Sequence, residues 1–341
     1  MAQKELELLC IGNALVDIFT SGDEQTLIRD GIIQPVQHVE IEKIKGLLSE
    51  LKDQHTVLSS GGGSANVAKI AGFLGAKACF TGAICEADEY GRLFEKDLST
   101  AGVKLNLSLK SSPTGVCLYI KAGEKTYIAA SPSAALELSE SDISEDELQK
   151  AAIVVIDGFI LNRAGLVRRI LSLAAQHGTV AALDLSSVSI AIERAAEIAD
   201  FIRQYPLILF MNEQEAAAYC EAPAINRGMT NNAPPFREIC TYFEALTAGK
   251  PFPIIVIKLG ERGAIVFAGG SSYRAETSAV LPLETTGAGD AFCAAFLTAW
   301  VRNRPIPECA ALGNRAGRIV LDVTGTRVEG EAFTNLARSI N

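Results

Sequence analysis

Short apolar runs rich in β-branched residues alternate with longer amphipathic segments along most of the chain. Strands that are covered on both faces have near-continuous apolar sequences, whereas half-exposed strands alternate apolar and polar residues. The amphipathic segments carry apolar residues at helical spacing, as at Val67, Ile70 and Leu74. Strand–helix–strand repeats therefore predict an α/β fold with a central, mostly parallel sheet flanked by helices. The strand candidates are residues 8–12, 79–84, 153–157, 180–185, 207–211 and 254–259.

One segment departs from this alternation. Residues 111–131 predict two strands joined by a turn at Ala122-Gly123-Glu124-Lys125. In a parallel α/β protein, such a hairpin extends a sheet edge or covers a binding site. The chain contains no long Pro/Gly/Ser-rich linker and no repeat of fixed period. We therefore expect residues 1–341 to form a single domain, with a small β-sheet lid formed from about 13–40 and 111–131.

Composition and charge exclude several classes of protein. The chain has 341 residues, of which 48% are hydrophobic, so it is long enough to bury a large core. A formal net charge of −9 argues against a general nucleic-acid binder, which needs a basic face. No apolar run reaches the roughly 18 residues of a membrane helix, and the N-terminal residues lack the pattern of a secretory signal. The eight cysteines are scattered, so we expect reduced thiols and a cytoplasmic protein.

A glycine-rich turn, Thr-Thr-Gly-Ala-Gly-Asp at 285–290, precedes a helix with an apolar face. We expect a strand around Ala279–Leu283 to lead into it. Glycines leave the backbone N–H groups accessible, and the first N–H groups of a helix lack intrahelical partners. With the helix dipole, the N–H groups of Gly287, Ala288 and Gly289 would bind an anion, although the turn contains no lysine or arginine. The turn thus predicts a phosphate site built from backbone atoms.

Asp290, at the end of this turn, would repel a bound phosphate unless it accepts the proton of an attacking hydroxyl. Phosphoryl transfer needs this combination, with N–H donors for the charge on the transferred group and a base for the nucleophile. The alternative is that Asp290 caps the helix, because aspartate is favoured near helix N-termini. The turn by itself leaves both interpretations open.

A second glycine-rich turn, residues 61–63, leads into another helix and is followed by Asn66. Accessible backbone and an amide that both donates and accepts hydrogen bonds suit the hydroxyls of a sugar. The alternative is a tight turn with Asn66 packed locally. Asp17 follows the first strand, where the ligand sites of parallel sheets collect, and its carboxylate can accept protons from two hydroxyls. Asp17, Gly62, Gly63 and Asn66 are therefore the candidate residues for an acceptor site.

Four motifs resemble those of the PfkB-type kinases, the carbohydrate and nucleoside kinases that include ribokinase and adenosine kinase. GGGSANVAKIAGFLGAKACFTGAICEADEYGR at 61–92 resembles the first family signature, and ETTGAGDAFCAAFLTAW at 284–300 resembles the second. NEQEAA at 212–217 resembles the N-x-x-E motif, and KLGERGA at 258–264 resembles the strand and turn on the nucleotide side. The resemblance runs from about residue 9 to about residue 326. It implies a ribokinase-like layered domain with a β-sheet lid.

The resemblance implies a role for each matching residue in catalysis and acceptor binding. Asp290 would be the catalytic base, and the N–H groups of Gly287, Ala288 and Gly289 would form the anion hole for the γ-phosphate of ATP. The hydroxyls of the acceptor would be held by Asp17, Gly62, Gly63 and Asn66.

The resemblance also implies a nucleotide and metal site. Asn212 and Glu215 would organise Mg²⁺ through water, since magnesium keeps part of its hydration shell. Glu284 stands where the family usually has an aspartate near a monovalent cation, and its extra methylene leaves K⁺ as an open alternative. The residues expected to border ATP are Lys258, Gly260, Gly263 and Asn314, in addition to Asn212 and Glu215.

The acceptor stays open between two classes of small molecule. Residues 113–138, 183–192 and 205–219 resemble adenosine kinases, which implies transfer to the primary hydroxyl of a ribonucleoside, with adenosine foremost. GGGSAN at 61–66 is closer to bacterial sugar kinases, so ribose, fructose or a related sugar is the alternative. A non-catalytic relative would be expected to have lost the base or the glycine turn, and both are present. We expect a monomer or homodimer without a nucleic-acid or membrane partner.

Overall fold

Two β-sheets organise the fold. The computed structural model describes residues 4–34, 36–222, 234–280, 284–323, 325–326 and 330–340. In chain order, the strands are β1 (Leu6–Ile11), β2 (Leu15–Ser21), β3 (Val36–His38), β4 (Val57–Gly61), β5 (Ala78–Cys85), β6 (Lys104–Lys110), β7 (Gly115–Ala122), β8 (Lys125–Ser131), β9 (Ala151–Asp157), β10 (Val180–Asp184), β11 (Leu207–Asn212), β12 (Ile254–Lys258), β13 (Ala264–Ala268) and β14 (Ser271–Ala275). The helices are α1 (Glu24–Arg29), α2 (Ile41–Glu50), α3 (Gly63–Phe73), α4 (Glu89–Thr100), α5 (Glu145–Lys150), α6 (Ala164–Gln176), α7 (Val188–Glu193), α8 (Ala195–Gln204), α9 (Glu213–Glu221), α10 (Phe236–Thr247), α11 (Ala288–Val301), α12 (Ile306–Val320) and α13 (Glu331–Ile340).

The larger sheet has nine strands among the described residues, in the order β14-β13-β12-β11-β10-β9-β1-β5-β6. Its strands from β12 to β6 pair in parallel, and β13 and β14 continue it as antiparallel strands. The strands predicted from apolar runs all lie in the parallel part, as β1, β5, β9, β10, β11 and β12. The predicted α/β fold with a mostly parallel central sheet is confirmed.

Both faces of this sheet are covered, which explains the near-continuous apolar runs. In β1, Leu8 and Cys10 join one cluster of buried residues, whereas Leu9 and Ile11 join a second cluster. Helices α3, α4, α11 and α12 supply the first cluster, and α6, α8, α9 and α10 supply the second. A strand between two helical layers has no solvent-facing positions, so its sequence does not alternate.

Helix α11 is buried on all sides and fixes the position of its own first turn. Every residue from Ala291 to Ala299 is buried, and the helix packs between α3 and α12. A helix that is apolar all round belongs in the interior of a layered domain. The turn at 285–290 is therefore attached to one of the most constrained elements of the molecule.

The smaller sheet has the strand order β3-β8-β7-β2-β4 among the described residues. The hairpin predicted at 111–131 is present as β7 and β8, which pair in antiparallel fashion. β2 pairs in parallel with β7, so Asp17 lies opposite Cys117 and Phe19 opposite Tyr119. One face of this sheet packs on α2 and α4, and the alternate residues, which include Asp17, Phe19 and Tyr119, occupy the other face.

The strand expected around Ala279–Leu283 is not found where the structure can test it. Ala279 and Val280 belong to no strand, and residues 281–283 lie outside the described residues. β14 already ends at Ala275, and the Asn314 side chain then donates hydrogen bonds to the carbonyls of Ala275 and Glu276. Thr277, Ser278 and Val280 line a cavity instead of extending the sheet. Within the described ranges, no helix has the length and apolar character needed to cross a bilayer.

Candidate active site

Polar residues gather at the carboxyl ends of the parallel strands. Asp157, Asp184, Asn212 and Lys258 are the last residues of β9, β10, β11 and β12. Asp157 pairs with Asp184 across the ladder, and Asn212 pairs with Lys258. Ligand sites of open α/β sheets form at this edge, because helix N-termini and loops converge there. The glycine-rich turns that begin α3 and α11 reach the same region.

Asn66 of α3 and Asp290 of α11 meet where these two helices pack together. The Asn66 Nδ2 donates to Asp290 Oδ2 at 2.8 Å, and the Thr326 Oγ1 donates to Asn66 Oδ1 at 2.8 Å. The N-cap of α11 is Gly287, and no side chain among the described residues caps this helix. Asp290 lies in the first turn without making a capping hydrogen bond, so the capping alternative has no support from its geometry.

Burial changes the acidity of Asp290. It raises the pKa of this carboxyl from 3.8 to about 7, against the hydrogen bond from Asn66, which lowers it. The Asp184 charge raises the pKa further and the Lys258 ammonium lowers it. A carboxyl with this pKa exchanges a proton readily near neutral pH, as a general base requires.

The turn at 285–290 depends on glycine at Gly287. Its φ is +81°, in the left-handed region that residues with a Cβ rarely adopt. A Cβ at this position would also collide with the Thr326 side chain. Gly289 lies under the Lys258 ammonium, where an added Cβ would be 3.1 Å from Lys258 Nζ. The fold therefore brings a cation to a turn that has none in its own sequence.

A cavity of about 430 Å³ extends from this turn between β12 and α12. Its predicted members are Ala288 and Gly289 from the turn and Lys258, Gly260, Gly263 and Asn314 from the nucleotide side. Phe292, Val280 and Leu321 add apolar surface. A cleft with an apolar wall at one end and backbone N–H groups at the other matches the shape and polarity of a nucleotide.

Asn212 and Glu215 form a capping box at the start of α9. Asn212 Oδ1 accepts from the Glu215 N–H at 2.8 Å, and the Glu215 carboxylate accepts from Asn212 N and Nδ2 at 2.8 and 2.9 Å. Such reciprocal bonds stabilise a helix start, which is a structural role for the N-x-x-E motif. Glu215 is also 4% exposed, and burial and the Asp184 charge raise its pKa.

Asp17, one of the predicted acceptor residues, lies on the face of the smaller sheet opposite α2 and α4, and Gly62 and Gly63 directly follow β4 of the same sheet. Asp17 is 2% exposed, and burial raises its pKa from 3.8 to about 7, although the Lys69 charge lowers it. A Cβ at Gly61 would collide with its carboxylate, and a Cβ at Gly62 would collide with the Asn13 carbonyl. Among the described residues, no hydrogen bond to the Asp17 carboxylate is found. The described residues therefore leave the lone pairs of this buried carboxylate without a hydrogen bond.

Glu284 is engaged with its own turn. Its Oε1 accepts hydrogen bonds from the N–H groups of Thr285 and Thr286 and from the Thr286 hydroxyl, at 2.8, 3.2 and 3.0 Å. One carboxylate oxygen thus holds the turn that leads to Gly287. The arrangement gives Glu284 a structural role that does not depend on a cation.

Several residues of the site were not singled out in the sequence. Asp184 accepts from Lys258 Nζ at 2.5 Å and from Cys293 Sγ at 3.1 Å, and Asp157 holds both the N–H and the hydroxyl of Ser64. Each of these aspartates ends an apolar strand run, which is a signal that was visible in the sequence. Thr326 gave no such signal, because its contact with Asn66 spans 260 residues.

Comparison with known proteins identifies the family of the chain. The profile of the pfkB family of carbohydrate kinases matches residues 37–331. Adenosine kinase 2 of Arabidopsis thaliana is 26% identical over 337 residues, covering 93% of this chain and 94% of that protein. 5-Dehydro-2-deoxygluconokinase 2 of Bacillus cereus is 25% identical over 307 residues, covering 82% of this chain and 87% of that protein.

Solved structures show the same fold. Adenosine kinase from Sinorhizobium meliloti superimposes with a TM-score of 0.84 at 25% identity, covering 98% of this chain and 99% of that one. A probable sugar kinase from Rhizobium etli CFN 42 gives a TM-score of 0.85 at 24% identity, again covering 98% and 99%. The chain belongs to the pfkB family of carbohydrate kinases and is an ATP-dependent kinase.

Proposed function

We propose that this kinase transfers the γ-phosphoryl group of ATP to the primary hydroxyl of a ribonucleoside, with adenosine as the leading acceptor. The observation that carries the proposal is an aromatic pair beside Asp17, on the face of the smaller sheet opposite α2 and α4. The rings of Phe19 and Tyr119 stack with their centroids 4.6 Å apart and an interplanar angle of 16°. A flat aromatic surface next to a hydroxyl-binding carboxylate suits a molecule with a base at one end and a ribose at the other.

The aromatic pair faces the proposed catalytic centre. Burial, with the nearby charges of Asp17, Asp290 and Glu284, raises the pKa of Tyr119. Phe19 rests on the backbone of Gly325, where an added Cβ would lie 2.9 Å from its ring. The next residue, Thr326, donates to Asn66, which in turn donates to Asp290. A nucleoside against these rings would therefore extend its sugar toward Asp290.

Asp290 is the base in the proposed reaction, and Asn66 orients it. With a pKa of about 7, a substantial fraction of this carboxyl is ionised at neutral pH. It takes the proton of the acceptor hydroxyl as the new O–P bond forms and the bond to the ADP leaving group breaks. The N–H groups of Gly287, Ala288 and Gly289 stabilise the charge on the transferred group.

The residues fit Mg²⁺ as an ion held largely by nucleotide phosphates and water. Among the described residues, no three His, Cys, Asp or Glu side chains converge into a metal cage. The Glu215 carboxylate is fixed by Asn212, and carboxylate oxygens retain lone pairs that a hydration shell can use. Magnesium prefers such sites, with few direct protein ligands. We place Asn212 and Glu215 around the hydrated ion, which would supply charge neutralisation when bound with ATP.

A sugar acceptor is the second candidate. The relative from Bacillus cereus is named as a kinase of a deoxygluconate sugar acid and matches at nearly the same identity as the plant adenosine kinase. Polar groups at the strand ends also suit a compact polyol. The Asn13 Oδ1 accepts from Arg163 Nη2 at 2.6 Å, close to Asp157.

The proposal is tested by measuring ADP release from Mg·ATP with adenosine, other nucleosides, ribose, fructose and 5-dehydro-2-deoxygluconate, each with and without K⁺. We expect kcat/KM for adenosine to exceed that for every sugar by about tenfold or more, since loss of base stacking alone removes about 1–3 kcal/mol. Turnover confined to a sugar would contradict the nucleoside assignment and leave the kinase assignment intact. A nucleoside acceptor and a sugar acceptor thus give opposite results in one assay.

A further inference from the structure

A buried ion pair lies directly beside the glycine-rich turn at residues 285–290, which we call the anion turn. The Lys258 Nζ donates to Asp184 Oδ2 at 2.5 Å, and the side chains are 16% and 11% exposed. Burial alone lowers the pKa of the Lys258 ammonium, but the Asp184 carboxylate outweighs this effect and raises it. Lysine therefore stays charged at this position.

Burying two charges costs free energy, and this cost points to a functional role for the ion pair. Removing an ammonium and a carboxylate from water costs several kcal/mol per ion, and a buried ion pair is often no more stable than an apolar pair of similar volume. Here the pair lies between β10, β12 and α11, and the carboxyls of Glu215 and Asp290 are close enough to interact with it. Cys293 of α11 donates its thiol to the same Asp184 oxygen at 3.1 Å, which fixes the carboxylate from a third element.

The ammonium has donors left over, and they face the nucleotide cavity. Lysine carries three N–H donors, and among the described residues Asp184 is the one hydrogen-bond acceptor found for Lys258. Lys258 lines the cavity of about 430 Å³ together with Ala288 and Gly289 of the anion turn. Its Nζ lies 3.1 Å from the place that a Cβ on Gly289 would occupy. The end of the cavity nearest Asp290 therefore carries an ammonium group.

We propose that Lys258 contacts the phosphoryl group that is transferred from ATP, and that Asp184 is the residue that positions it. The proposal rests on the proposed kinase reaction and adds a cation to the backbone anion hole. In the reaction, the bond from the γ-phosphorus to ADP breaks and the bond to the acceptor oxygen forms. The hydroxyl proton goes to Asp290. Lys258 remains protonated throughout and neutralises charge on the phosphoryl oxygens.

The test compares Lys258→Met, Asp184→Asn and the double variant with wild type. In the double variant neither charge is left buried without its partner, so it keeps the test valid if Lys258→Met folds poorly. Lys110→Met is the control. Lys110, on the edge strand β6, forms an ion pair with Asp142 at 3.2 Å, and the two side chains are 19% and 15% exposed. Calorimetry gives the dissociation constants of Mg·ADP and of the β,γ-imido analogue of Mg·ATP. Steady-state assays give kcat and the acceptor KM.

We expect Lys258→Met to weaken binding of the ATP analogue about tenfold more than binding of ADP. Its kcat should fall about 10²–10³-fold, as for loss of one charge-stabilising donor, with the acceptor KM within about threefold of wild type. Asp184→Asn should show a smaller loss of the same kind. The double variant should be no slower than Lys258→Met, because Asp184 acts through Lys258. Lys110→Met should match wild type in kcat and in both dissociation constants.

Three results would overturn the proposal. The first is a kcat for Lys258→Met within about threefold of wild type. The second is an equal loss of affinity for ADP and for the ATP analogue in this variant. The third is a double variant whose kcat falls below that of Lys258→Met by the full factor that Asp184→Asn causes alone. Failure of the proposed function looks different, since wild type itself would then transfer no phosphate to adenosine. The ratio of the two dissociation constants still tests Lys258 in that case.

Discussion

Asp290 and Asp17 are two carboxyls of similar acidity in different surroundings. Burial raises the pKa of each to about 7. Asp290 receives a hydrogen bond from Asn66 at the end of the glycine-rich turn, and we propose that it removes the proton of the acceptor hydroxyl. Asp17 lies beside the aromatic pair, and we propose that it holds hydroxyls of the acceptor. The division of roles follows from position, because the acidity of the two groups does not separate them.

Asn66 is expected to set the acid limb of the pH–rate profile. In wild type, kcat/KM should rise with pH through about 7, because Asp290 must lose its proton to act as base. The hydrogen bond from Asn66 lowers the pKa of Asp290, so Asn66→Ala should move this limb upward by about half to one unit. The measurement is kcat/KM from pH 5.5 to 9. An acid limb that stays in place in the variant would contradict the role of Asn66.

Glu215 has a structural contact and a proposed functional one, and these can be separated. Glu215→Gln keeps a side chain that can accept from Asn212, so we expect a loss of stability of about 1 kcal/mol or less. Removal of the charge should raise the Mg²⁺ concentration for half-maximal activity about fivefold to tenfold, with recovery at high Mg²⁺. The measurement is activity against free Mg²⁺ at saturating ATP. An unchanged Mg²⁺ dependence would leave the motif with capping alone.

The smaller sheet presents two chemically different faces because its strands alternate. Val16, Ile18, Val116 and Leu118 are buried against α2 and α4. Asp17 and Phe19 from β2 and Tyr119 from β7 share the opposite face. The parallel register of β2 and β7 is what brings Phe19 and Tyr119 together. We propose that this face closes over the acceptor as a lid.

Tyr119→Leu should separate nucleoside from sugar acceptors. Loss of the stacked ring should raise KM for adenosine about tenfold, in line with about 1–3 kcal/mol per stacked base, and leave KM for any sugar acceptor nearly unchanged. Tyr205→Leu is the control. Tyr205 is also a partly buried ring in an aromatic pair, but it precedes β11, at the amino ends of the parallel strands of the larger sheet. Equal KM values for adenosine in wild type and Tyr119→Leu would argue against base stacking on the lid.

The sequence predicted the parallel sheet and the two glycine turns because these depend on local patterns. Apolar runs identify strands such as β9 and β11, and glycine followed by an apolar helix identifies the start of α11. The pairs Asn66–Asp290 and Lys258–Asp184 are separated by 224 and 74 residues, so no local pattern joins them. The expected strand at Ala279 and Val280 was wrong, because β14 already ends at Ala275 and Val280 lines a cavity.

Buried carboxyls in the cleft reduce the stability of the whole molecule when they are ionised. The pKa of Asp17 is higher in the folded state than its ordinary value, so the folded state binds the extra proton. This contribution to the free energy of unfolding is present in full below pH 3.8 and is lost as the pH rises to about 7. Asp17→Asn should therefore be more stable than wild type at pH 8 and not at pH 4.

The expected gain for Asp17→Asn at pH 8 is about 1–3 kcal/mol, below the full value of a shift of about three pKa units because the protein can relax around the charge. Urea unfolding at pH 4, 6 and 8 measures it. Binding of the acceptor should be lost in the same variant. A gain that is equal at pH 4 and pH 8 would show that the charge of Asp17 is not its source.

The most direct test of the account is transfer of the γ-phosphate to adenosine by wild type and by Asp290→Asn, followed by ³¹P NMR of the product. The variant keeps an oxygen that can accept from Asn66, so it removes the base without removing the contact. We predict adenosine 5′-monophosphate from wild type and a loss of rate of about 10³-fold or more in the variant. Transfer by Asp290→Asn at close to the wild-type rate would contradict the central claim.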